Sequence, residues 1–314
     1  MQSWREVSEQ EILAARPERA VHDPWYPQAF FTEEERSRAG NLESVATLFL
    51  TNRECPFRCL MCDLWKSTTV KRVPSGAIPA QIEHALSRLP PAKRIKLYNS
   101  GNFFDAQAIP PGDWPRIAEL VRGFEGVIVE NHPRLCDSKC VEFRDLVGRE
   151  LEIALGLETI HPEILPRLNK GMTLEDFSRA VEFLHSHGIR TRAFILLRPP
   201  YLSEVEGREW ALQSIEYAFG LGVDCCSVIP TRGGNGVMER LAREGAYAPP
   251  KLSSIEWILE EGLKIGGGRV FVDVWDLERF RDCPDCFEGR AERLAEMNRT
   301  QKISPRVFCH CGGE

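Results

Sequence analysis

The sequence lacks the features that mark membrane-spanning, exported and disordered proteins. No apolar run approaches the roughly 20 residues that a membrane-spanning helix needs. The N-terminus, Met-Gln-Ser-Trp-Arg-Glu, is charged and has no apolar signal core, so nothing marks export. Low-complexity tracts are missing too, and 43% of the residues are apolar, which is enough for a sizeable core. We therefore expect a folded, cytoplasmic protein.

An excess of positive charge is missing as well. The 40 lysines and arginines are outnumbered by 46 acidic residues, which leaves a net charge of −6. Wholesale electrostatic capture of nucleic acid or of an anionic membrane is therefore not expected. The loosely spaced basic residues between Lys66 and Lys96 fit either a groove for an anionic substrate or a solvated face. The length of 314 residues suits one large α/β unit.

Cysteine, in contrast, is abundant. Eleven cysteines are many for a cytosolic chain, where disulfides are disfavoured, and their odd number and close spacing favour metal binding. Cys136 and Cys140 lie four residues apart on a predicted helix, and without another partner we interpret them as core or surface thiols. Cys225 and Cys226 are successive residues of a predicted strand, so they point to opposite faces and belong to the core.

The main body of the chain has a βα period. Short apolar runs rich in β-branched residues alternate with segments of helical period, which predicts a parallel sheet with helices outside it. Six or seven βα units indicate an α/β fold, a partial (βα)6-type barrel over residues 45–275. Residues 1–44 form an N-terminal extension with a short helix near residues 32–38, and residues 276–314 form a cysteine-rich tail. The predicted strands are residues 45–50, 94–98, 126–130, 150–155, 190–197, 224–229 and 269–274.

Three cysteines follow the first strand of this series. Cys55, Cys59 and Cys62 are close enough in sequence to bind one metal centre, and three thiolates leave a 4Fe–4S cluster one ligand short. The open iron can chelate an amino-carboxylate such as the methionyl end of S-adenosyl-L-methionine. A reduced cluster can then break the C5′–S bond and produce a 5′-deoxyadenosyl radical that abstracts hydrogen from a substrate. The alternative from another class is a zinc-binding nucleic-acid or scaffold module.

This cysteine spacing resembles that of the radical S-adenosylmethionine (radical SAM) superfamily. The resemblance implies that the turn after the second strand meets the methionyl amino group, although here it has one glycine rather than two. It also implies that acidic and basic strand-end residues contact the ribose, the amino group or the carboxylate. Met61 stands where many members carry an aromatic residue. The residues expected to contact the cofactor are Ser100, Gly101, Glu130, Glu158 and Arg198.

Further motifs resemble the core of the elongator catalytic subunit and, more closely, the radical SAM subunit of archaeosine synthase with its bacterial homologues. They are Ser-Gly-x-Phe at residues 100–103, Gly-Leu-Glu-Thr at 156–159, Asn-Lys-Gly at 169–171 and Pro-Pro-x-Leu-x-Glu at 199–204. The resemblance implies reduction by a donor such as flavodoxin or ferredoxin, and a tRNA nucleoside as substrate. No RNA-binding appendage is evident, so a small molecule or lipid precursor is the alternative substrate.

The tail contains two further cysteine pairs. Cys283 and Cys286 are separated by two residues, and Cys309 and Cys311 by one, with a charged helix predicted between the pairs at residues 290–299. Four thiolates suit a second iron–sulfur cluster or a structural zinc ion, with unmetallated thiols as the simpler alternative. Earlier in the chain, three glycines within residues 232–236 fit either backbone contact with a phosphate or adenine, or a mobile substrate loop.

Overall fold

The sheet organises the molecule. In the computed structural model, which describes residues 5–311, one sheet holds eight strands in the order of the chain. The first strand is antiparallel to the second, and the second to the eighth are mutually parallel. The strands are β1 (Ala29–Arg36), β2 (Leu42–Phe49), β3 (Arg94–Tyr98), β4 (Gly126–Asn131), β5 (Glu150–Glu158), β6 (Arg190–Leu197), β7 (Cys225–Pro230) and β8 (Arg269–Val272).

Helices connect the parallel strands and pack on the outer face of this half-barrel. The helices within residues 5–311 are α1 (Glu9–Ala14), α2 (Ala77–Leu86), α3 (Trp114–Val121), α4 (Ser138–Val147), α5 (Ile164–Arg167), α6 (Leu174–Ser186), α7 (Glu204–Gly220), α8 (Val237–Arg243), α9 (Leu252–Ile265) and α10 (Phe287–Thr300). Short 3-10 segments lie at Leu64–Ser67, Pro111–Asp113, Pro133–Leu135 and Leu277–Phe280. None of these helices is long and apolar enough to cross a membrane; the cytoplasmic location stays a prediction.

Local sequence sets the ends of the connecting helices. Thr173 and Asp176 form a capping box at the start of α6, as the sequence indicates. After α6 the chain passes through Gly188 at φ +68°, a conformation that costs glycine little. On the outer face of the sheet, Leu97 and Ile195 are fully buried against such helices. The hydrophobic core therefore lies between the sheet and its helices, which leaves the inner face for polar residues.

The predicted strands lie where the sequence places them, and β3 and β6 have the predicted bounds. The helix predicted near residues 32–38 is wrong, because this segment is β1. Its residues pair antiparallel with β2, with Glu33 opposite Val45. A capping pattern is a weak local signal, and here the ladder to β2 and ion pairs from Glu33 and Glu35 to Lys96 decide the outcome. The predicted domain boundary after residue 44 falls inside β2 and stays a prediction.

The inner face carries a charge network at the end of the sheet where the parallel strands begin. Arg192 Nε donates to Glu152 Oε1 at 2.7 Å, and Arg269 Nη2 lies 3.0 Å from Glu152 Oε2. Glu35 of β1 accepts from Arg192 at 3.1 Å and from Lys96 Nζ at 2.6 Å. Burial raises the pKa of Glu35, but the charges of Arg192 and Lys96 outweigh it and hold that pKa well below its usual range. These contacts join β1 to β6 and β8 across the interior.

Helix α10 covers the open edge of the half-barrel between β1 and β8, and packs on both strands. The Asn298 amide exchanges two hydrogen bonds with the backbone of Val272, at 3.0 and 2.8 Å. Gln301 does the same with Val270, at 2.9 and 2.8 Å. These two side chains satisfy backbone groups that an edge strand otherwise exposes. The predicted charged helix is thus confirmed, and its position protects the edge.

Candidate metal centre and cofactor site

The cysteine triad lies on the loop that follows β2, at the edge where all the parallel strands end. Cys55, Cys59 and Cys62 are each half-buried. Within residues 5–311, the only cysteines whose ligand atoms all lie within 4.8 Å of one another belong to the tail. The triad therefore does not form a compact group of the kind found in the tail. Its three thiols all lie on one loop, so they can supply three of the four ligands that a 4Fe–4S cluster needs.

Three asparagine side chains from other loops brace this loop. Asn102 Nδ2, after β3, lies 3.1 Å from the Cys55 sulfur. Asn169 Nδ2 donates at 2.7 Å to a carbonyl in the middle of the loop, and Asn235 Nδ2 donates to the Cys62 carbonyl at 3.2 Å. Sequence reasoning missed all three as individual residues. The only signal was that Asn102 and Asn235 belong to polar motifs after strands and that Asn169 belongs to the Asn-Lys-Gly motif after α5.

A buried lysine lies beside the triad. Lys170 Nζ is 2.5 Å from Glu158 Oε1, and both side chains are 9% exposed. Burial alone would lower the pKa of Lys170. The neighbouring Glu158 carboxylate and Cys59 raise it by more than burial lowers it, so the pKa of Lys170 lies above its usual value. The ammonium therefore stays charged next to the triad. The sequence pointed to Lys170 only as part of the Asn-Lys-Gly motif, without a role.

Burial also controls the triad thiols. It raises the pKa of Cys55 and of Cys59 to about 11 and that of Cys62 to about 12, while the charge of Lys170 acts in the opposite direction. Without a metal these thiols hold their protons at neutral pH. Thiolates are the metal-binding form, so metal loading has to release protons.

The predicted turn after β3 packs directly on the loop that holds the triad. A Cβ on Gly101 would lie 3.4 Å from the Cβ of Cys55, so the turn approaches closely. Glu130 Oε1 accepts from the backbone N–H groups of Asn99 at 2.6 Å and Gly101 at 3.3 Å. Burial raises the pKa of Glu130, and these N–H groups partly offset the effect. Glu130 therefore holds the turn in shape.

Three of the predicted residues have positive φ angles that side chains rarely adopt: Ser100 at +51°, Glu158 at +65° and Arg198 at +55°. Such residues cost about 1–3 kcal/mol each and cluster at functional sites. Ser100 and Glu158 lie near the triad with Gly101 and Glu130. The Arg198 guanidinium is engaged with the Glu204 carboxylate at 2.5 Å, so an incoming anion would have to compete with that pair.

Asn99 provides a test of whether the site fits a cofactor. Its amide is fully buried, and neither Oδ1 nor Nδ2 has a hydrogen-bond partner within the described part of the chain. An unpaired buried amide costs about 1–3 kcal/mol. The amide lies beside the Gly101 turn and offers both a donor and an acceptor. Together with three thiolates, this matches the needs of a cluster and an amino-carboxylate ligand.

The tail brings its four cysteines together. The sulfurs of Cys283 and Cys309 are 3.8 Å apart, as are those of Cys286 and Cys311. The remaining thiols form no such group: Cys140, Cys225 and Cys226 are buried, and Cys136 is half-buried.

Comparison with solved structures defines the class. No family model matches the chain. The archaeal Elp3 of Methanocaldococcus infernus superposes with a TM-score of 0.51 and 17% identity, over 69% of this chain and 57% of that one. Elp3 and other structural neighbours are radical SAM enzymes. The chain therefore has the radical SAM fold, which confirms the predicted class at the level of the fold. This chain spans little more than half of the Elp3 chain.

Comparison with relatives adds detail. The archaeosine synthase subunit beta of Thermococcus kodakarensis is 28% identical over 226 residues, which cover 68% of this chain and 69% of that protein. An uncharacterised protein of Methanocaldococcus jannaschii is 26% identical over 316 residues, 93% of this chain and 87% of the relative. The predicted resemblance to the archaeosine synthase subunit is thereby confirmed.

Proposed function

We propose that this chain is a radical SAM enzyme that holds a 4Fe–4S cluster on Cys55, Cys59 and Cys62. The observation that carries the proposal is the braced triad at the carboxyl edge of a radical SAM fold, beside the Asn99 amide, which has no hydrogen-bond partner among residues 5–311. When bound and reduced, the cluster would supply one electron to break the C5′–S bond of S-adenosyl-L-methionine, giving methionine and a 5′-deoxyadenosyl radical able to abstract hydrogen from the substrate.

The residues of this chain have distinct tasks in the proposal. Asn99 and the backbone around Gly101 bind the amino-carboxylate end of the cofactor, while Glu130 keeps that turn in shape. Lys170 places a positive charge beside the thiolates, and Glu158 orients that charge. Glu158 also remains the candidate for a ribose hydroxyl.

We further propose a nucleoside in RNA as substrate class. One support is the similarity to a protein named for the synthesis of archaeosine, a modified tRNA nucleoside. Another is that residues 64–82 carry three positive charges and no acidic residue. This segment pairs with the chain between β2 and the triad, where Thr69 N donates to Asn52 O at 2.8 Å. Lys71 and Arg72 are exposed, so this segment offers two cations to an anionic substrate in an otherwise acidic protein.

Anaerobic reconstitution with iron and sulfide tests the enzyme proposal. The reduced protein, supplied with dithionite or with flavodoxin or ferredoxin as the predicted donor, should convert S-adenosyl-L-methionine to 5′-deoxyadenosine. Cys59→Ala should abolish both the 4Fe–4S absorption and this product, whereas Cys136→Ala should retain both. Zinc at the triad, with no iron and no cleavage, would instead support a zinc-binding module.

A separate titration tests the substrate class. Bulk tRNA should bind with an affinity that falls with salt. Lys71→Ala with Arg72→Ala should reduce the slope of log affinity against log salt by about one for each side chain that binds a phosphate. Lys264→Ala, an exposed lysine on α9, is the control and should leave the slope unchanged. No tRNA binding at low salt would favour a small molecule or lipid precursor.

A further inference from the structure

We propose that the four cysteines of the tail bind one zinc ion that fastens α10 over the open edge of the half-barrel. The ligand atoms of Cys283, Cys286, Cys309 and Cys311 all lie within 4.8 Å of one another. Two of the sulfur–sulfur distances, from Cys283 to Cys309 and from Cys286 to Cys311, are both 3.8 Å.

These separations distinguish a single ion from a cluster. Zinc binds four thiolates tetrahedrally at about 2.3 Å, which places neighbouring sulfurs about 3.8 Å apart. In a cubane each thiolate binds a different iron, so the ligand sulfurs are farther apart than those around one ion. The tail has the spacing of the first arrangement. Four thiolates also fill the tetrahedral shell, with no position left for a substrate or for water.

The charge around the tail suits a tetrathiolate zinc site, which carries a net double negative charge. The buried side chain of Arg290 places Nη1 4.0 Å from the Cys286 sulfur. The same guanidinium is paired with Glu256 of α9 at 2.7 Å, which fixes its position. As zinc binds, the four thiols release their protons to solvent, and no electron is transferred.

The position of the four ligands explains what the ion does. Cys286 immediately precedes α10, and Cys309 and Cys311 follow it, so the ion joins the two ends of the segment that contains the helix. This helix satisfies the backbone of β8 through Asn298 and Gln301. The polar α10 also pairs with α9, where Arg293 Nη2 contacts Glu260 Oε1 at 2.7 Å. The ion closes the chain from Cys283 to Cys311 into a loop that contains α10. This closure reduces the conformational freedom of α10 when it is not packed on the sheet, and so favours the packed state.

Metal analysis of a variant without the triad tests the site. Full-length protein with Cys55→Ala, Cys59→Ala and Cys62→Ala should contain about one zinc per chain. X-ray absorption should show four sulfurs at about 2.3 Å, and cobalt exchange should give the spectrum of tetrahedral thiolate coordination. Adding Cys309→Ser and Cys311→Ser should remove the metal, whereas adding Cys136→Ser should not. An iron–sulfur spectrum in the triad variant, or no bound metal, would overturn the proposal.

X-ray absorption on the unmutated protein at the zinc edge gives the same answer if a variant fails to fold. The fastening role has its own readout. Zinc removal by a chelator should increase amide hydrogen exchange in α10 and β8 and leave exchange in β3 unchanged. Unchanged exchange in α10 after complete zinc loss would refute the fastening role.

Discussion

The two cysteine sets of this molecule are built on opposite plans. The triad comes from one short loop, has three cysteines, and is surrounded by polar side chains from other loops. The tail set joins two segments, since Cys283 and Cys309 are 26 positions apart in the chain, and its four sulfurs are tightly grouped. Catalytic metal sites keep a position open, whereas structural sites are closed by protein ligands. The two proposals follow this difference, with chemistry at the triad and stability at the tail.

The largest expected effect separates the two sets completely. Cys59→Ala should remove 5′-deoxyadenosine formation while leaving the zinc content and the free energy of unfolding close to those of the unmutated protein. Cys309→Ser should have the reverse pattern, with loss of zinc and a less stable α10, but with 4Fe–4S absorption retained. Metal analysis, product assay and urea unfolding of the two variants check this. Loss of both metals in either variant would show that the sites are coupled.

The next effect concerns the charge network on the inner face of the sheet. Glu35→Gln removes the carboxylate that Arg192 and Lys96 share, and leaves buried cations under-compensated. We expect a loss of about 3–5 kcal/mol in the free energy of unfolding, measured in urea. The exposed Glu34→Gln is the control and should change little.

Acid should have a related effect, with a sign that follows from the pKa values. The pKa of Glu35 is lowered on folding, and that of Glu152 is lowered by Arg192 and Arg269 against the opposing effect of burial. Their stabilisation is therefore complete above the unfolded pKa of about 4.3 and is lost as pH falls below it. The stability of Glu35→Gln should fall less steeply between about pH 5 and 3. An identical pH dependence would contradict this account of the network.

A smaller effect tests the positive charge beside the triad. Lys170→Met should lower the rate of 5′-deoxyadenosine formation or the iron affinity about 10- to 100-fold, as is typical when a partner of a metal ligand is removed. Zinc in the tail should be unaffected. Because Lys170→Met also leaves Glu158 unpaired, the double variant with Glu158→Gln should recover stability without recovering activity. Full activity in the double variant would make the pair purely structural.

The smallest effect compares one asparagine from each region. Asn298→Ala leaves two backbone groups of Val272 without their hydrogen bonds to this side chain, so the free energy of unfolding should fall by about 1–3 kcal/mol. Cleavage of S-adenosyl-L-methionine should be retained. Asn102→Ala should instead weaken iron retention at Cys55 and leave the zinc in place. Iron and zinc release over time, together with urea unfolding, distinguish the two. Equal effects on both metals would remove the distinction between an active region and a fastening region.

Much of this fold was predictable because the deciding signals are local. The strands β3 and β6 follow from compact apolar runs, and α6 from its capping residues. The helix predicted near residues 32–38 is wrong because the conformation of Ala29–Arg36 depends on pairing with β2 and on ion pairs with buried side chains of other strands. Lys170 and the bracing asparagines were missed for a similar reason. Each has an ordinary local sequence, and its role arises only from contacts with residues that are distant in the chain.

The sequence by itself determined that the three thiols of the triad lie together, because three and then two intervening residues keep them on one loop whatever the rest of the chain does. It also determined that four more thiols occur in the tail, without deciding between a cluster and zinc. Only the tertiary structure supports that choice, since the distance between two cysteine pairs on either side of a helix depends on how that helix packs. Connectivity governs distances within a loop, and packing governs those between segments far apart in the chain.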